Sequence, residues 1–340
     1  MTGVRRKSGS VPVSLATVAA AAEVSISTVS RIVNGQTHRA SRETIERVRG
    51  AIETLGYRPN QLGRALKRGE SRVVAMLTAN LNNPVMATVA SSAEAALRAA
   101  GYVMILCDTH DRPELQDEYL KAMRSQAVQG YILVTNVKSP GLAEFVARGE
   151  PAVFACRRNP YASGAFVGID NVGAGADAAD YLWSRGCREP AVLFPAQSSS
   201  TIEDRLAGFS MRLLELGGRC SKAEAPGLSH LDVGYEAARS LLDRASLPQG
   251  VMCLSDQIAY GAHRLFFERG LRVPDDCVMV SIDGSTLSSW LAPWLTSVRV
   301  PYHEFGRHIV DLLGEIWRGE ASGERILPHA FQSDVSSDFE

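Results

Sequence analysis

The sequence predicts an N-terminal all-α helix-turn-helix head joined to an α/β core of two doubly wound parallel-sheet lobes. Three observations predict it. Residues 15–34, LATVAAAAEVSISTVSRIVN, carry two short helical stripes separated by a tight turn. From residue 71 onward, short Val/Ile/Leu runs alternate with helix-period segments, the pattern of β–α–β units. The charge divides at the same place. Residues 1–70 hold 12 Lys/Arg against 5 Asp/Glu and the remainder 24 against 32, so a net charge of −1 conceals +7 and −8. A basic head on an acidic body places a nucleic-acid surface at the N-terminus. At 340 residues the chain exceeds one core and implies two or three domains.

Taken in order, residues 1–12 are basic and contain Gly and Ser, reading as a mobile arm. Residues 13–58 form the head. Leu15, Val18, Ala19 and Ala22 make one apolar helix face. After a turn at Glu23 and Val24, Ser25 caps a second helix. That helix turns Val29, Ile32 and Val33 inward and leaves Ser27, Thr28, Ser30 and Arg31 mostly outward. Small hydroxyls and one Arg on a short helix suit a DNA groove. A third helix fits residues 42–55, with Ser41 as its cap, Thr44, Ile45, Val48, Ile52 and Leu55 as apolar contacts, and Gly56 as its stop. Residues 59–70, PNQLGRALKRGE, read as a connector able to form a short helix.

In the core, residues 71–340, VVAML, VMILC, YILVT and AVFA read as buried parallel strands, with helices such as 86–100 and 114–125 between them. A second series follows: FVGI, AVLF, VMCLS and VMVSI, with helices near 174–185, 203–216, 234–244 and 257–269. Two such lobes enclose a cleft at the carboxyl ends of their strands.

These residues resemble the lactose-repressor (LacI/GalR) family of transcription regulators. The matching pieces are LATVA, VSISTVSRIVN, SRETIERV, LGYRPN and GRAL, in the family's order and spacing. The resemblance implies a periplasmic-binding-protein-like core whose chain crosses between lobes three times. Lobe one would take residues 71–170 and 299–325, lobe two 171–298 and 326–340. It also implies a homodimer on a pseudo-palindromic operator, with Ile26 and Ser27 at base edges and Arg31 on either a guanine or a phosphate. Leu15, Ser25, Thr28, Ser30, Asn34, Thr44, Tyr57 and Asn60 fall at the family's DNA-positioning places; helix capping is the competing role for Ser25 and Thr28. Arg64, Leu66 and Lys67 match a hinge helix, with Leu66 as the minor-groove wedge or else a buried linker leucine. Two residues depart from the pattern. Glu23 stands where the family often has Gly, and Gly63 where it has Ala, which weakens the hinge helix until DNA is bound.

For the cleft, polar residues at strand ends converge: Asp170 and Asn171, Arg205 in the family's RLxGF segment, Ser255 and Asp256, and Asp283. Carboxylates with one Arg fork suit a sugar, a sugar-derived acid or a base edge, so a purine or other metabolite stays open. Capping is the competing role for Asp170 and Asp256, and ligand contact is expected of Arg205 and Asp283. Asn83-Pro84 matches the family, but Val85 and Met86 replace its aromatic pair; Trp290 is the candidate substitute. Ser255 stands where the family shows Asn.

Other classes fare worse. Gly173, Gly175 and Ala178 fit a dinucleotide-binding spacing, yet the acidic residue expected about 20 positions on is missing. No HExxH, GxSxG or P-loop occurs, and His110, His230, His263, His303 and His308 form no metal-ligand spacing. No cofactor, metal or catalytic residue is expected. Cys107, Cys156, Cys187, Cys220, Cys253 and Cys277 contain no CxxC pair, and Cys107, Cys156 and Cys253, in or at the ends of apolar runs, read as reduced core residues of a cytoplasmic protein. The start resembles a twin-arginine signal, but cleavage there would destroy the first helix. No run of about 18 apolar residues suggests a membrane span. A solute-binding protein would share the cleft but lack the head. No heptad run follows Leu327, so a dimer is expected rather than a coiled-coil tetramer.

Overall fold

Serine caps set the boundaries of the head. A computed structural model describes residues 13–57, 71–134, 136–197, 199–244 and 246–331. The chain divides into two units, Met1–Glu70 and Ser71–Glu340. In the first, α1 (Leu15–Ala21), α2 (Ile26–Val33) and α3 (Arg42–Leu55) each begin after a serine whose hydroxyl accepts the N–H of the Thr three residues on, each at 3.2 Å. Val18, Ala19, Ala22, Val29, Ile32 and Val48 form the buried core. Val33, expected inward, is only half-buried. Gly56 ends α3 at φ 61°, the left-handed stop that its position in the sequence predicts. Glu23 takes φ 53° in the turn after α1, the conformation that glycine tolerates better. The arm (1–12) and the connector with Asn60, Gly63, Arg64, Leu66 and Lys67 lie outside the described residues.

The second unit holds two six-stranded sheets. The first contains β1 (Val73–Thr78), β2 (Val103–Asp108), β3 (Gly130–Leu133), β4 (Ala152–Ala155), β5 (Phe166–Ile169) and β11 (Glu324–Leu327), in the order β11-β5-β4-β3-β1-β2. The second contains β6 (Ala191–Pro195), β7 (Ser221–Ala225), β8 (Gly250–Cys253), β9 (Val278–Asp283), β10 (Thr296–Arg299) and β12 (Ala330–Phe331), in the order β12-β10-β9-β8-β6-β7. Every pairing is parallel except β10 with β12. The FVGI strand, read from the sequence with the second series, is β5 of the first sheet. The chain passes to the second sheet after β5, back after β10, and across again after β11.

Helices clothe both sheets: α4 (Pro84–Ala99), α5 (Pro113–Ser125), α6 (Pro140–Ala147) and α12 (Phe305–Trp317) belong with the first, and α7 (Asn171–Ser184), α8 (Ser200–Glu215), α9 (His230–Arg244), α10 (Asp256–Glu268) and α11 (Thr286–Leu291) with the second. The dinucleotide-like glycines have a packing role. A Cβ on Gly175 would lie 2.2 Å from the Arg205 carbonyl oxygen, and one on Gly208 2.0 Å from that of Val172. Gly175 and Gly208 therefore let α7 and α8 touch backbone to backbone, which fixes Arg205 beside the start of α7. Among the described residues no single helix is long and apolar enough to cross a membrane.

Candidate nucleic-acid face and ligand cleft

The start of α2 presents a polar face whose bonds are all local. Ser25 Oγ lies 2.8 Å from Ser27 Oγ and 2.9 Å from Thr28 Oγ1. Arg31 Nε donates to the Ser27 carbonyl at 3.1 Å, folding the guanidinium back over the helix. Ile26, in the same turn, is 52% exposed although apolar. Asn34 Nδ2 donates to the Ser30 carbonyl at 2.7 Å and closes the last turn. Thr44 pairs with Ser41 at the start of α3. Leu15 and Tyr57 pack, half-buried, against the head core.

The cleft lies between the two sheets and holds a cavity of about 120 Å³. Asn83, Val85, Asn171, Arg205, Ser255 and Asp283 line it, as the sequence suggests. Arg205 is its fixed point, with only 4% exposure. Its Nε donates to Asn171 Oδ1 at 2.9 Å; Nη1 donates to the Leu254 carbonyl at 2.7 Å and to Asp283 Oδ1 at 3.3 Å. Its Nη2 reaches only the Tyr302 hydroxyl, at 3.5 Å. That hydroxyl in turn donates to Asp283 Oδ1 at 2.8 Å. Burial pushes the Asp283 carboxyl up to about 6 against the opposing pull of Arg205.

Four residues expected at the cleft have other roles or places, Ser255 in addition to lining the cavity. Asp170 is exposed and caps α7, accepting the Gly173 N–H at 2.9 Å, and does not line the cavity. Asp256 is buried scaffold rather than a cap. Its carboxylate accepts from the Ser281, Ser288 and Ser297 hydroxyls and the Ser285 N–H at 2.6–2.9 Å, tying α10, β9, α11 and β10 together. Ser255 is the α10 cap. Trp290 does not supply the missing aromatic wall: α11 turns Ser288 inward to Asp256 and Tyr260, which leaves Trp290 70% exposed and away from the cavity.

The sequence reading missed Asp111, Arg157, Thr201, His230 and Tyr302, all at the cavity. Arg157 follows the AVFA strand by two residues, so the strand-end rule that found Asp283 would have found it. His230 opens α9 with Nδ1 2.9 Å from Ser255 Oγ; burial and the Arg157 charge push its pKa down to about 4. Thr201 Oγ1 donates to the Cys156 carbonyl at 2.8 Å and Gln257 Nε2 to that of Asn82 at 3.4 Å, both across the cleft. Cys156 also lines the cavity, but burial raises its thiol to about 12 and keeps it protonated. Among the described residues no cluster of His, Cys, Asp and Glu is arranged to hold a metal.

Comparison with known proteins places both halves. The family model for bacterial regulatory proteins of the lacI family matches residues 14–60, and that for the periplasmic binding protein-like domain matches residues 179–330. The HTH-type transcriptional regulator PtxS of Pseudomonas putida is 30% identical over 321 residues, covering 92% of each chain. The ribose operon repressor of Halalkalibacterium halodurans is 30% identical over 296 residues, 87% of this chain and 88% of that one. Among solved structures, the transcriptional regulator CelR–cellobiose complex is 28% identical with a TM-score of 0.70, covering 95% and 99% of the two chains. The lac repressor dimer bound to operator and the anti-inducer ONPF shares the fold, with a TM-score of 0.81 at 24% identity over 96% and 99%. The chain belongs to the LacI family and is a DNA-binding, effector-regulated transcriptional regulator.

Proposed function

We propose that the chain is a homodimeric repressor that occupies a pseudo-palindromic operator and answers to a sugar or a sugar-derived acid. In this reading Ile26, Ser27 and Arg31 meet base edges, Ser25, Thr28, Ser30, Asn34 and Thr44 hold the backbone, and Leu15 and Tyr57 set the height of α2. The head spans 13–58 and the connector 59–70 supplies a hinge, with Leu66 as wedge and Asn60, Arg64 and Lys67 beside it. Two hinges side by side need two copies and a two-fold site. Effector in the cleft stabilises one arrangement of the lobes, and affinity for DNA follows from that difference.

The observation that carries the ligand reading is Arg205. Its Nε and Nη1 are committed to protein partners, Nη2 has one long contact to Tyr302, and the residue lines the cavity. A guanidinium edge beside an Asn and an Asp is suited to neighbouring hydroxyls or a carboxylate. Two relatives point the same way, one named for a ribose operon and one solved with cellobiose.

The test is a thermal-shift screen of the purified chain against sugars, sugar acids, sugar phosphates and purines, repeated on Arg205→Ala. A stabilising compound whose effect vanishes in the variant, and which changes operator affinity, supports the reading. A compound that stabilises both forms equally places the effector elsewhere. DNA retention that ignores salt would remove the regulator reading of the head.

A further inference from the structure

Among the described residues six non-glycine residues have positive φ, and three of them flank one ion pair. His110 (51°) and Asp111 (54°) lie on one side; Cys156 (61°), just before Arg157, lies on the other. Left-handed backbone is unfavourable for L side chains and persists where the surroundings over-determine it. Here the turn's own bonds, His110 N–H to Asp108 Oδ1 at 3.1 Å and Arg112 N–H to the Thr109 carbonyl at 2.9 Å, are joined by a two-pronged contact. Arg157 Nη1 and Nη2 donate to Asp111 Oδ1 and Oδ2 at 2.6 and 2.7 Å. The two side chains are only 17% and 23% exposed, and both line the cleft cavity. Asp111 therefore occupies the edge of Arg157 that a ligand carboxylate would use.

The groups facing this pair fit an acid. His230 approaches from lobe two. Burial first and the Arg157 charge second lower its pKa to about 4, with Asp111 opposing and Arg205 adding to the shift, so the ring is neutral near pH 7 and has no charge of its own to bring to the contact. The loop itself has somewhere to go: His110 and Arg112, on either side of Asp111, are exposed.

We propose that Asp111 is an internal substitute for the effector's carboxylate, and that a sugar acid displaces it from Arg157 whereas the neutral sugar of the same skeleton does not. This names the ligand class within the cleft reading given above and rests on it. Exchanging one carboxylate for another conserves two parallel N–H···O bonds and the charge balance at Arg157. It also sends Asp111 to water and lets residues 110 and 111 leave the left-handed region. A neutral hydroxyl pair would have to break a charge-assisted bidentate contact for weaker bonds, and gains neither. The moving part is the loop between β2 and α5.

The experiment titrates the full-length chain calorimetrically with gluconate, galactonate and ribonate and with the corresponding aldoses. In parallel, melting is followed in sodium acetate against sodium chloride at equal ionic strength. Asp111→Asn removes the internal competitor, so its affinity for the acids should rise about tenfold while the aldoses stay within about twofold. Arg157→Gln should erase the preference for acid over sugar. Acetate should raise the melting point of Asp111→Gly, where the edge is vacant and position 111 tolerates its positive φ, and should do nothing specific to Arg157→Gln. The proposal is overturned if acetate stabilises Asp111→Gly no more than chloride does, or if the acid preference survives Arg157→Gln. Failure of the underlying site is a separate result, ligand response persisting in Arg205→Ala. The acetate comparison still decides the role of Arg157 in that case, and equally where no sugar or acid of the panel binds.

Discussion

The head and the cleft hold their polar side chains in opposite ways. On α2, Ser25, Ser27, Thr28 and Arg31 bond to neighbours two to four residues away, on a largely wet surface. In the cleft, Arg205 bonds to partners 34, 49 and 78 residues away and is almost fully buried. A local bond at the surface is exchanged for a phosphate or a base edge at little cost, since water competes for it already. A long-range network in a dry interior is built before the ligand arrives and is held by the fold. Residues of the first kind that do not cap a helix, Ser27 and Arg31, should therefore govern affinity with little effect on stability, and residues of the second kind both together.

The largest effect tests the second half of that statement. Arg205→Ala leaves the Asp283 carboxylate buried opposite nothing but Tyr302 and a long Asp256 N–H contact. Stripping one partner from a buried pair typically costs about 3–5 kcal/mol, so the core should melt several degrees lower in addition to losing its ligand response. The double variant Arg205→Met with Asp283→Asn should recover part of that loss, because no unpaired charge remains. Denaturant titration checks both. If Arg205→Ala costs less than about 1 kcal/mol, the network is not held by the fold before the ligand arrives.

A second effect is hidden by cancellation. His230 titrates at about 4 against 6.5 for the free ring, so the unfolded chain binds that proton more tightly, and stability falls as pH drops from 6.5 toward 4. Asp283 is raised from 3.8 to about 6 by burial. There the folded chain holds the proton more tightly, and stability rises as pH drops from 6 toward 4. The two slopes oppose each other. His230→Gln should unmask the Asp283 slope, making the variant on the order of 2 kcal/mol more stable relative to wild type near pH 4 than near pH 7. Parallel profiles for variant and wild type, followed by urea unfolding across that range, would remove the cancellation.

The same contrast explains what was legible in the sequence. The head could be read because its signals are short-range: a serine three residues before a threonine, an i, i+3, i+4 apolar stripe, a glycine one residue past α3. The buried strands could be read as apolar runs. β7, SKAEA, could not: it is an edge strand with two buried residues, and its composition carries no such run. β10 to β12 are short and were missed for the same reason. In the cleft, strand-end logic found Arg205, Asn171, Ser255 and Asp283, since each sits beside a strand or a motif. It misplaced Trp290, because the direction of a six-residue helix is set by Ser288 binding Asp256 and not by any local pattern. Arg157 was within reach of the same strand-end logic, but its pairing with Asp111 was not: 46 residues separate them, and only the first sheet, where β2 and β4 are separated by β1 and β3, makes them neighbours.

In the head the effects should be smaller and should leave stability alone. Arg31→Ala is expected to weaken binding to a selected operator by roughly 1–3 kcal/mol while moving the melting point by the equivalent of less than about 0.5 kcal/mol. Fluorescence anisotropy across a salt series separates its two roles. A shallower salt slope with unchanged sequence preference means a phosphate contact; a relaxed preference at one base pair means a guanine contact. A large fall in stability would break the distinction between the two regions.

Glu23 supplies the smallest effect and the one exception inside the head. Its φ of 53° is required by the turn: the Val24 N–H returns to the Ala19 carbonyl at 3.0 Å and the Glu23 N–H to that of Ala20 at 3.3 Å, closing α1 in the manner of a Schellman stop. Unlike the polar residues of α2, Glu23 is held in a conformation that its side chain opposes. Glu23→Gly removes the Cβ from that position and should stabilise the head by about 1 kcal/mol. Slower hydrogen exchange at Val18, Val29 and Val48, the buried valines of the three helices, is the measurement. Operator affinity should change little, since the residue precedes the face that α2 presents. Faster exchange in the glycine variant would mean that the glutamate stabilises the turn through its side chain, and that the head contains a contact of the kind otherwise confined to the cleft.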